Sequence, residues 1–322
     1  DGSGAHLRRT PRARPLRHDD AMDARIRDRL PFTLTPRQDR VVADIARDLA
    51  LSTPTNRLIQ GDVGSGKTAV ALYAMLMATA SGHQAALLAP TELLAEQHFR
   101  SFEVWFDPLG VEVAWLTGSQ RAAERREALA AVADGSARMV VGTHALFQEQ
   151  VQFAALGLVI IDEQHRFGVH QRLSLRDKGA ADSIPHQLVM TATPIPRTLA
   201  MTAYADLDTS VIDALPPGRT PVTTVVVPEQ RRDEVVQRVA AACAEGRQAY
   251  WVCPLVEDSE VLDYQAAETT AAMLREQLPA NTIGLVHGRM KPRDKERAMA
   301  AFSRGDSDVL VATTVIEVGV DV

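Results

Sequence analysis

Gly61-Asp62-Val63-Gly64-Ser65-Gly66-Lys67-Thr68 is the stretch that decides the fold. It matches G-x-x-x-x-G-K-[ST], the phosphate-binding P-loop. The spacing follows from chemistry. Glycines let the backbone curl so that successive N–H groups point at phosphate oxygens, and the helix that follows adds its positive N-terminus. Lys67 then reaches the β- and γ-phosphates, and the Thr68 hydroxyl binds Mg²⁺. Gly61 to Thr68 together form the cradle, with Asp62, Val63, Gly64, Ser65 and Gly66 supplying its backbone. A chance glycine turn is the bland alternative, and the flanks argue against it. Asn56–Gln60 reads as a buried strand leading in, and Thr68–Ala80 reads as a helix leading out.

About a hundred residues on, Leu158-Val159-Ile160-Ile161 is an apolar strand that ends in Asp162-Glu163. A strand releasing a carboxylate at its C-terminal end supplies the second Mg²⁺ contact beside a P-loop. Asp162 is assigned to the metal and Glu163 to polarising the attacking water. Other buried strands are expected at Ala85–Ala89, Met139–Gly142 and Gln187–Met190, with helices at Thr68–Ala80, Glu92–Phe106 and Arg121–Asp134. Strands alternating with helices imply βαβ crossovers and a parallel sheet covered on both faces.

The same rhythm restarts beyond Pro216-Pro217-Gly218 and Pro221. Strands are predicted at Val222–Val227, Ala249–Val252, Ile283–Val286 and Asp308–Thr313, with helices near 229–245, 265–278 and 292–303. The chain divides into a first α/β domain over 31–208, a hinge over 209–221 and a partial second domain over 222–322. Residues 1–30 hold eight arginines and five aspartates with little apolar periodicity. A solvated linker, the tail of something upstream, is the expectation there; a basic DNA-binding arm is the sharper alternative.

Composition bounds the rest. At 322 residues with 46% hydrophobic and 24% charged, the chain is too apolar for disorder. No apolar run approaches the roughly 20 residues of a membrane span, so no membrane is expected. Cys243 and Cys253 are too few for a disulfide framework or a four-ligand metal site, which points to a reducing cytoplasm. The net charge of −6 does not advertise nucleic acid. A motor, however, can carry its track in one local groove. Only four of the 35 basic residues are lysine, a bias that makes Lys67 conspicuous.

Taken as a series, the motifs resemble the superfamily 2 helicases and translocases. Asp162-Glu163-Gln164-His165 is similar to their DExH box. Phe32, Leu34, Thr35 and Gln38 resemble the adenine-reading Q-motif. Ala89-Pro90-Thr91-Glu92-Leu93 resembles motif Ia, Leu116–Ser119 motif Ib and Val141–His144 motif Ic. Thr191-Ala192-Thr193 resembles the coupling motif III, and Ala312–Asp321 motif V. The longer runs Asp162–Val169, Thr191–Thr202 and Leu215–Arg219 resemble RecG, the bacterial branched-DNA translocases, over roughly 30–322. The transcription-repair coupling factors are the alternative; they typically carry glutamate where Gln164 stands.

That resemblance implies two RecA-like P-loop domains with parallel sheets, binding ATP and Mg²⁺ between them and branched duplex DNA across the top, in a monomer. It implies ATP hydrolysis coupled to translocation at stalled forks and Holliday junctions, in DNA repair and recombination. Gln164 and His165 join Glu163, Lys67 and Asp162 in the catalytic set. His165, Thr191 and Thr193, with Ala192 between them, couple the phosphate state to domain closure. Thr91, Thr117, Thr143 and Thr313 contact phosphates, which fixes position without reading bases.

RecG proteins also carry an N-terminal wedge domain and, after motif V, a motif VI with arginines. Neither is read here, and the sequence stops at Val322, so the second domain is expected to be truncated. An arginine finger is worth about 10³–10⁵ in turnover. ATP binding with weak hydrolysis is therefore the expectation for this chain. A binding module whose ATP state merely orders a surface is the reading from outside the motor class.

Other conspicuous residues take plainer readings. Trp105, Trp115 and Trp251 are expected in the core, Cys253 as an inert buried thiol, and Arg121–Glu127 as a solvated helix face. His287 divides between a ligand contact and a structural strand end. Arg166 and Arg172 stay open between DNA contact and ion pairing.

Overall fold

The computed structural model describes residues 12–106, 110–163, 178, 183–193, 207–213, 222–253 and 260–313. The chain forms two compact units, Asp1–Thr220 and Pro221–Val322. The first is built on a seven-stranded sheet in the order β3-β4-β2-β5-β6-β1-β7, parallel throughout. Its strands are β1 (Asn56–Gly61), β2 (Gln84–Leu88), β3 (Val113–Leu116), β4 (Met139–Gly142), β5 (Leu156–Asp162), β6 (His186–Thr191) and β7 (Asp208–Ile212).

Strand residues alternate between two cores. Ala85, Leu87, Leu158 and Ile160 face one; Ala86, Leu88, Val159 and Ile161 face the other. Every residue of β5 is buried, as a parallel strand covered on both faces requires. Helix α3 (Lys67–Ala80) is buried around its whole circumference from Val70 to Ala78, which explains a sequence with no polar stripe. Helix α2 (Pro36–Leu49) buries Gln38, Val41, Val42, Ile45, Ala46 and Leu49, a one-sided stripe at helical spacing. Helix α4 (Glu92–Phe106) buries Leu94, Ala95, Phe102 and Phe106, and α5 (Ala122–Asp134) covers the second core with Val132.

The N-terminal stretch departs from the linker expected there. Residues 12–30 carry helix α1 (Asp20–Arg29), capped by Asp19, whose Oδ1 accepts from the Met22 N–H at 2.7 Å. Leu16, Met22, Ile26 and Leu30 are buried in the first core. The exposed arginines mask this four-residue apolar stripe in the sequence.

The expected hinge is also corrected. Asp208–Ile212 is strand β7, paired in register with β1 from Arg57↔Asp208 to Gly61↔Ile212. It is a polar edge strand. Its buried Ser210 accepts from Arg57 Nη1 at 2.8 Å and donates to Asp44 Oδ2 at 3.0 Å, and Ile212 enters the first core, so hydrogen bonds and one apolar residue hold it without an apolar run.

The second unit holds a parallel sheet in the order β8-β10-β9: β8 (Ala249–Cys253), β9 (Ile283–Val286) and β10 (Val309–Thr313). Helices α6 (Arg232–Ala244) and α7 (Glu260–Gln277) pack on one face through Val236, Ala267, Ala271 and Leu274. Helix α8 (Pro292–Ser303) covers the other with Phe302 against Leu310 and Val286. The strand predicted at Val222–Val227 is not formed. The segment pairs with none of the described strands, and Val222 and Val226 are 85% and 95% exposed. A β-prone sequence becomes a strand only when a neighbour offers its ladder. Trp105, Trp115 and Trp251 are partly buried against the cores, as expected. Among the described residues no helix is long and apolar enough to cross a membrane.

Candidate nucleotide site and nucleic-acid loops

Strands β5, β6 and β1 are consecutive in the sheet, and their C-terminal ends lie level. Asp162 pairs with Met190, and Thr191 pairs with Gln60. The chain leaves β1 for β2 by crossing over β6 and β5, the reversal of order that opens a crevice at the carboxyl ends of a parallel sheet. The P-loop, the Asp162-Glu163 pair and Thr191-Ala192-Thr193 therefore share one edge, although 28 to more than 100 residues separate them. Strands two apart are separated by about 10 Å, a gap that side chains from both can span.

The loop is held by its own backbone. Gly64 and Gly66 stand at φ 76° and 87°, in the left-handed region. A Cβ on Gly66 would lie 1.9 Å from Gln38 Nε2, so only glycine admits the glutamine there. Lys67 Nζ folds back to donate to Gly61 O at 2.7 Å and Asp62 O at 3.0 Å. Burial pushes the Lys67 pKa down, opposed by the negative charges of Asp162, Glu163 and Asp62. Those carboxylates are thus near enough to act on Lys67. The Thr68 hydroxyl and an Asp162 carboxylate are hard oxygen donors of the kind Mg²⁺ takes, and Lys67 stands at the glycine loop with a charge that suits a phosphate. The residues present fit the group.

Gln38 is placed differently from a free adenine reader. It closes a capping box with Thr35: its Oε1 accepts from the Thr35 N–H at 2.8 Å, and its backbone N–H donates to Thr35 Oγ1 at 3.3 Å. Its Nε2 donates to Ser65 O at 3.0 Å. The side chain is buried and props the P-loop from behind.

Glu163 has φ 50°, the single left-handed non-glycine among the described residues. Such strain is held only where the surroundings over-determine it. Here its N–H donates to Met190 O at 2.9 Å, while its carboxylate accepts from Ala192 N–H at 3.1 Å and Thr191 Oγ1 at 3.3 Å. Gln164 and His165, read as catalytic from the sequence, lie outside the described residues, as do Arg166 and Arg172.

One functional candidate was missed. His98 of α4 meets Asp162, with Nε2 2.8 Å from Oδ2. No motif signal marks it, because the two residues join only through packing of α4 against the sheet.

The four threonines read as phosphate contacts divide. Thr91 is half-buried at the entry to α4, where its Oγ1 accepts from the Leu94 N–H at 3.3 Å. Thr117 and Thr143 follow β3 and β4 directly and Thr313 ends β10, all with their hydroxyls buried, so the structure does not present those oxygens to a phosphate. The exposed groups beside them sit on the loops themselves. Glu92 accepts from Ser119 N–H at 3.1 Å and Ser119 Oγ at 2.8 Å, which draws the loops after β2 and β3 together.

Two family models match the chain: one described as DEAD/DEAH box helicase over residues 35–202, and one as helicase conserved C-terminal domain over 231–322. The chain belongs to the DEAD/DEAH box helicase family, a nucleotide-using class built on two RecA-like domains. Within that family its likeness is to RecG. It is 62% identical over 312 residues to the ATP-dependent DNA helicase RecG of Escherichia coli (strain K12), covering 96% of this chain and 45% of the relative. RecG of Pasteurella multocida (strain Pm70) is 60% identical with the same coverage. The chain thus spans less than half the length of these curated relatives.

A solved structure of RecG bound to a three-way DNA junction superposes with a TM-score of 0.76 at 39% identity, over 97% of this chain and 40% of that one. The DNA-bound helicase MrfA, at 18% identity and a TM-score of 0.66, shares the fold.

Proposed function

We propose that this chain is the motor part of an ATP-dependent DNA helicase that translocates on branched duplex DNA, at stalled forks and Holliday junctions, in the cytoplasm and as a monomer. The observation that carries the reading is the convergence of Gly61–Thr68, Asp162-Glu163 and Thr191–Thr193 at one edge of the sheet. The RecG likeness at 62% identity supports branched DNA over the transcription-repair coupling alternative.

In this reading the P-loop amides and Lys67 hold the triphosphate. Lys67 exchanges its bonds to Gly61 O and Asp62 O for phosphate oxygens, a charge-assisted and therefore stronger partner. Thr68 and Asp162 would hold Mg²⁺, which would supply charge neutralisation to the bound triphosphate. Glu163 orients the attacking water and accepts its proton. Because the same carboxylate is tied to Thr191 and Ala192, a change at the γ-phosphate reaches motif III directly. Phosphate contact by the loops at Thr91 and Ser119 gives a grip independent of base sequence.

The test is ATP turnover by the complete protein with forked, linear and no DNA. Stimulation by the fork above linear duplex, abolished in Lys67→Ala together with Mg²⁺·ATP binding, is the expected result. Turnover indifferent to DNA would sink the motor reading, and unchanged ATP affinity in Lys67→Ala would sink the P-loop assignment.

A further inference from the structure

We propose that His98 is a positioning residue for Asp162, and that helix α4 thereby ties the nucleic-acid loops to the metal carboxylate. The proposal rests on the reading of Asp162 as the Mg²⁺ ligand. His98 and Asp162 lie 64 positions apart in sequence, yet Nε2 and Oδ2 are 2.8 Å apart, with side chains only 11% and 12% exposed. A carboxylate facing a metal accepts and does not donate, so His98 Nε2–H is the donor. The bond occupies one Asp162 oxygen and leaves the other for an ion. The ring is itself held, packed against fully buried Phe102 with centroids 6.2 Å apart. Ligating carboxylates are commonly fixed by such outer partners, whose loss costs about 10–100-fold in metal affinity or activity.

The same helix reaches the loops. Its first residue, Glu92, accepts two bonds from Ser119, and Thr91 caps the turn through the Leu94 N–H. Six residues separate Glu92 from His98, about 9 Å along a helix axis. A helix of that length moves as a rigid body. A phosphate that competes with Glu92 for Ser119, or shifts the first turn, therefore moves His98 and with it the Asp162 carboxylate. Linkage makes the effect reciprocal: if DNA lowers the Mg²⁺ needed for nucleotide binding, Mg²⁺·nucleotide tightens DNA by the same factor.

The experiment measures binding of a fluorescent ATP analogue to the complete protein across a Mg²⁺ titration, with and without forked DNA. His98→Phe keeps the ring packing and removes the donor; His98→Gln returns a donor at similar reach. The expected outcome is a Mg²⁺ requirement about 10–100-fold higher in His98→Phe. Binding in EDTA should match the parent, and His98→Gln should recover most of the loss. DNA should lower the parent's Mg²⁺ requirement, and lower it less in His98→Phe.

An unchanged requirement in His98→Phe overturns the positioning role. A DNA shift that is absent in the parent, or equal in both proteins, overturns the α4 connection. If His98→Phe does not fold, His98→Asn, whose donor falls short of Asp162, takes its place under the same criteria. Asp162→Asn separates the levels. If it too leaves the Mg²⁺ requirement unchanged, the metal-site reading has failed; if it alone raises the requirement, only the His98 proposal has.

Discussion

The carboxylate of Glu163 accepts a hydrogen bond from the backbone N–H of Ala192, 3.1 Å away and 29 residues on in the chain. Thr191 Oγ1 donates to the same carboxylate at 3.3 Å and accepts from the Thr193 N–H at 3.1 Å. The group that would polarise water is thus anchored on the segment that would report phosphate state. In the proposed mechanism a single side chain would serve both hydrolysis and coupling.

Glu163→Gln should separate the two roles. Glutamine Oε1 can still accept from Ala192, but it cannot take a proton. ATP turnover should fall by about 10²–10⁴ while Mg²⁺·ATP binding persists. Thr191→Val removes the hydroxyl and keeps the shape; ATP turnover should hold within a few-fold of the parent while fork regression is lost. Steady-state ATPase beside a gel assay of fork regression checks both. Equal losses of the two activities in Thr191→Val would count against the shared anchor.

Gly66→Ala should disable the P-loop for two separable reasons. The left-handed φ of 87° costs about 1–2 kcal/mol for a residue with a Cβ. The Cβ would also overlap Gln38 Nε2 at 1.9 Å. Truncating the glutamine removes only the second. Gly66→Ala in a Gln38→Ala background should therefore lose less stability than the sum of the single changes, as a double-mutant cycle on thermal melting would report.

The segment 12–30, which carries α1, is expected to be structural. Leu16 is wholly buried, and its truncation to alanine should cost about 2–5 kcal/mol. Denaturant unfolding of the first unit measures this directly. A change below about 0.5 kcal/mol, typical of a surface site, would restore the linker reading of residues 12–30.

A pH dependence follows from the network behind the P-loop helix. Tyr73 on α3 donates to Asp23 on α1 and meets His18 Nε2 at 2.9 Å, while Arg27 Nε donates to Asp23 at 2.7 Å. Burial alone would raise the Asp23 pKa, but the bonds from Arg27 and Tyr73 outweigh it and hold the pKa below the ordinary 3.8. A depressed carboxylate pKa adds stability above the unfolded value and loses it as pH falls through the folded one. Asp23→Asn should be less stable than the parent by about 1–3 kcal/mol near pH 7. That gap should narrow as pH falls below about 4. Chemical denaturation at a series of pH values checks it, and a gap independent of pH would remove Asp23 from the network.

Much of the fold was legible because its signals are local. Met139–Gly142, Ile283–Val286 and the helix Glu92–Phe106 lie where their apolar patterns place them. The misses share a cause. Along α1 and its C-cap the stripe Met22, Ile26, Leu30 is diluted by arginines that stay in solvent, and β7 buries only Ile212 and a serine satisfied by Arg57 and Asp44. Val222–Val227 shows the converse, a strand-like pattern with no described partner. Among the site residues, Thr117 and Thr143 directly follow β3 and β4 and Thr313 ends β10, but their hydroxyls turn inward.

By itself the sequence determined the P-loop, because its cradle is eight consecutive residues whose backbone freedom and side-chain chemistry are written in order. It also determined which strand would end in Asp162-Glu163. Only the tertiary structure decided that β6 lies between β5 and β1, which brings Thr191 to Glu163, and that α4 lays His98 on Asp162. Those meetings depend on strand order and helix packing. Both are settled by burying two apolar faces at once, a global condition that no local spacing encodes.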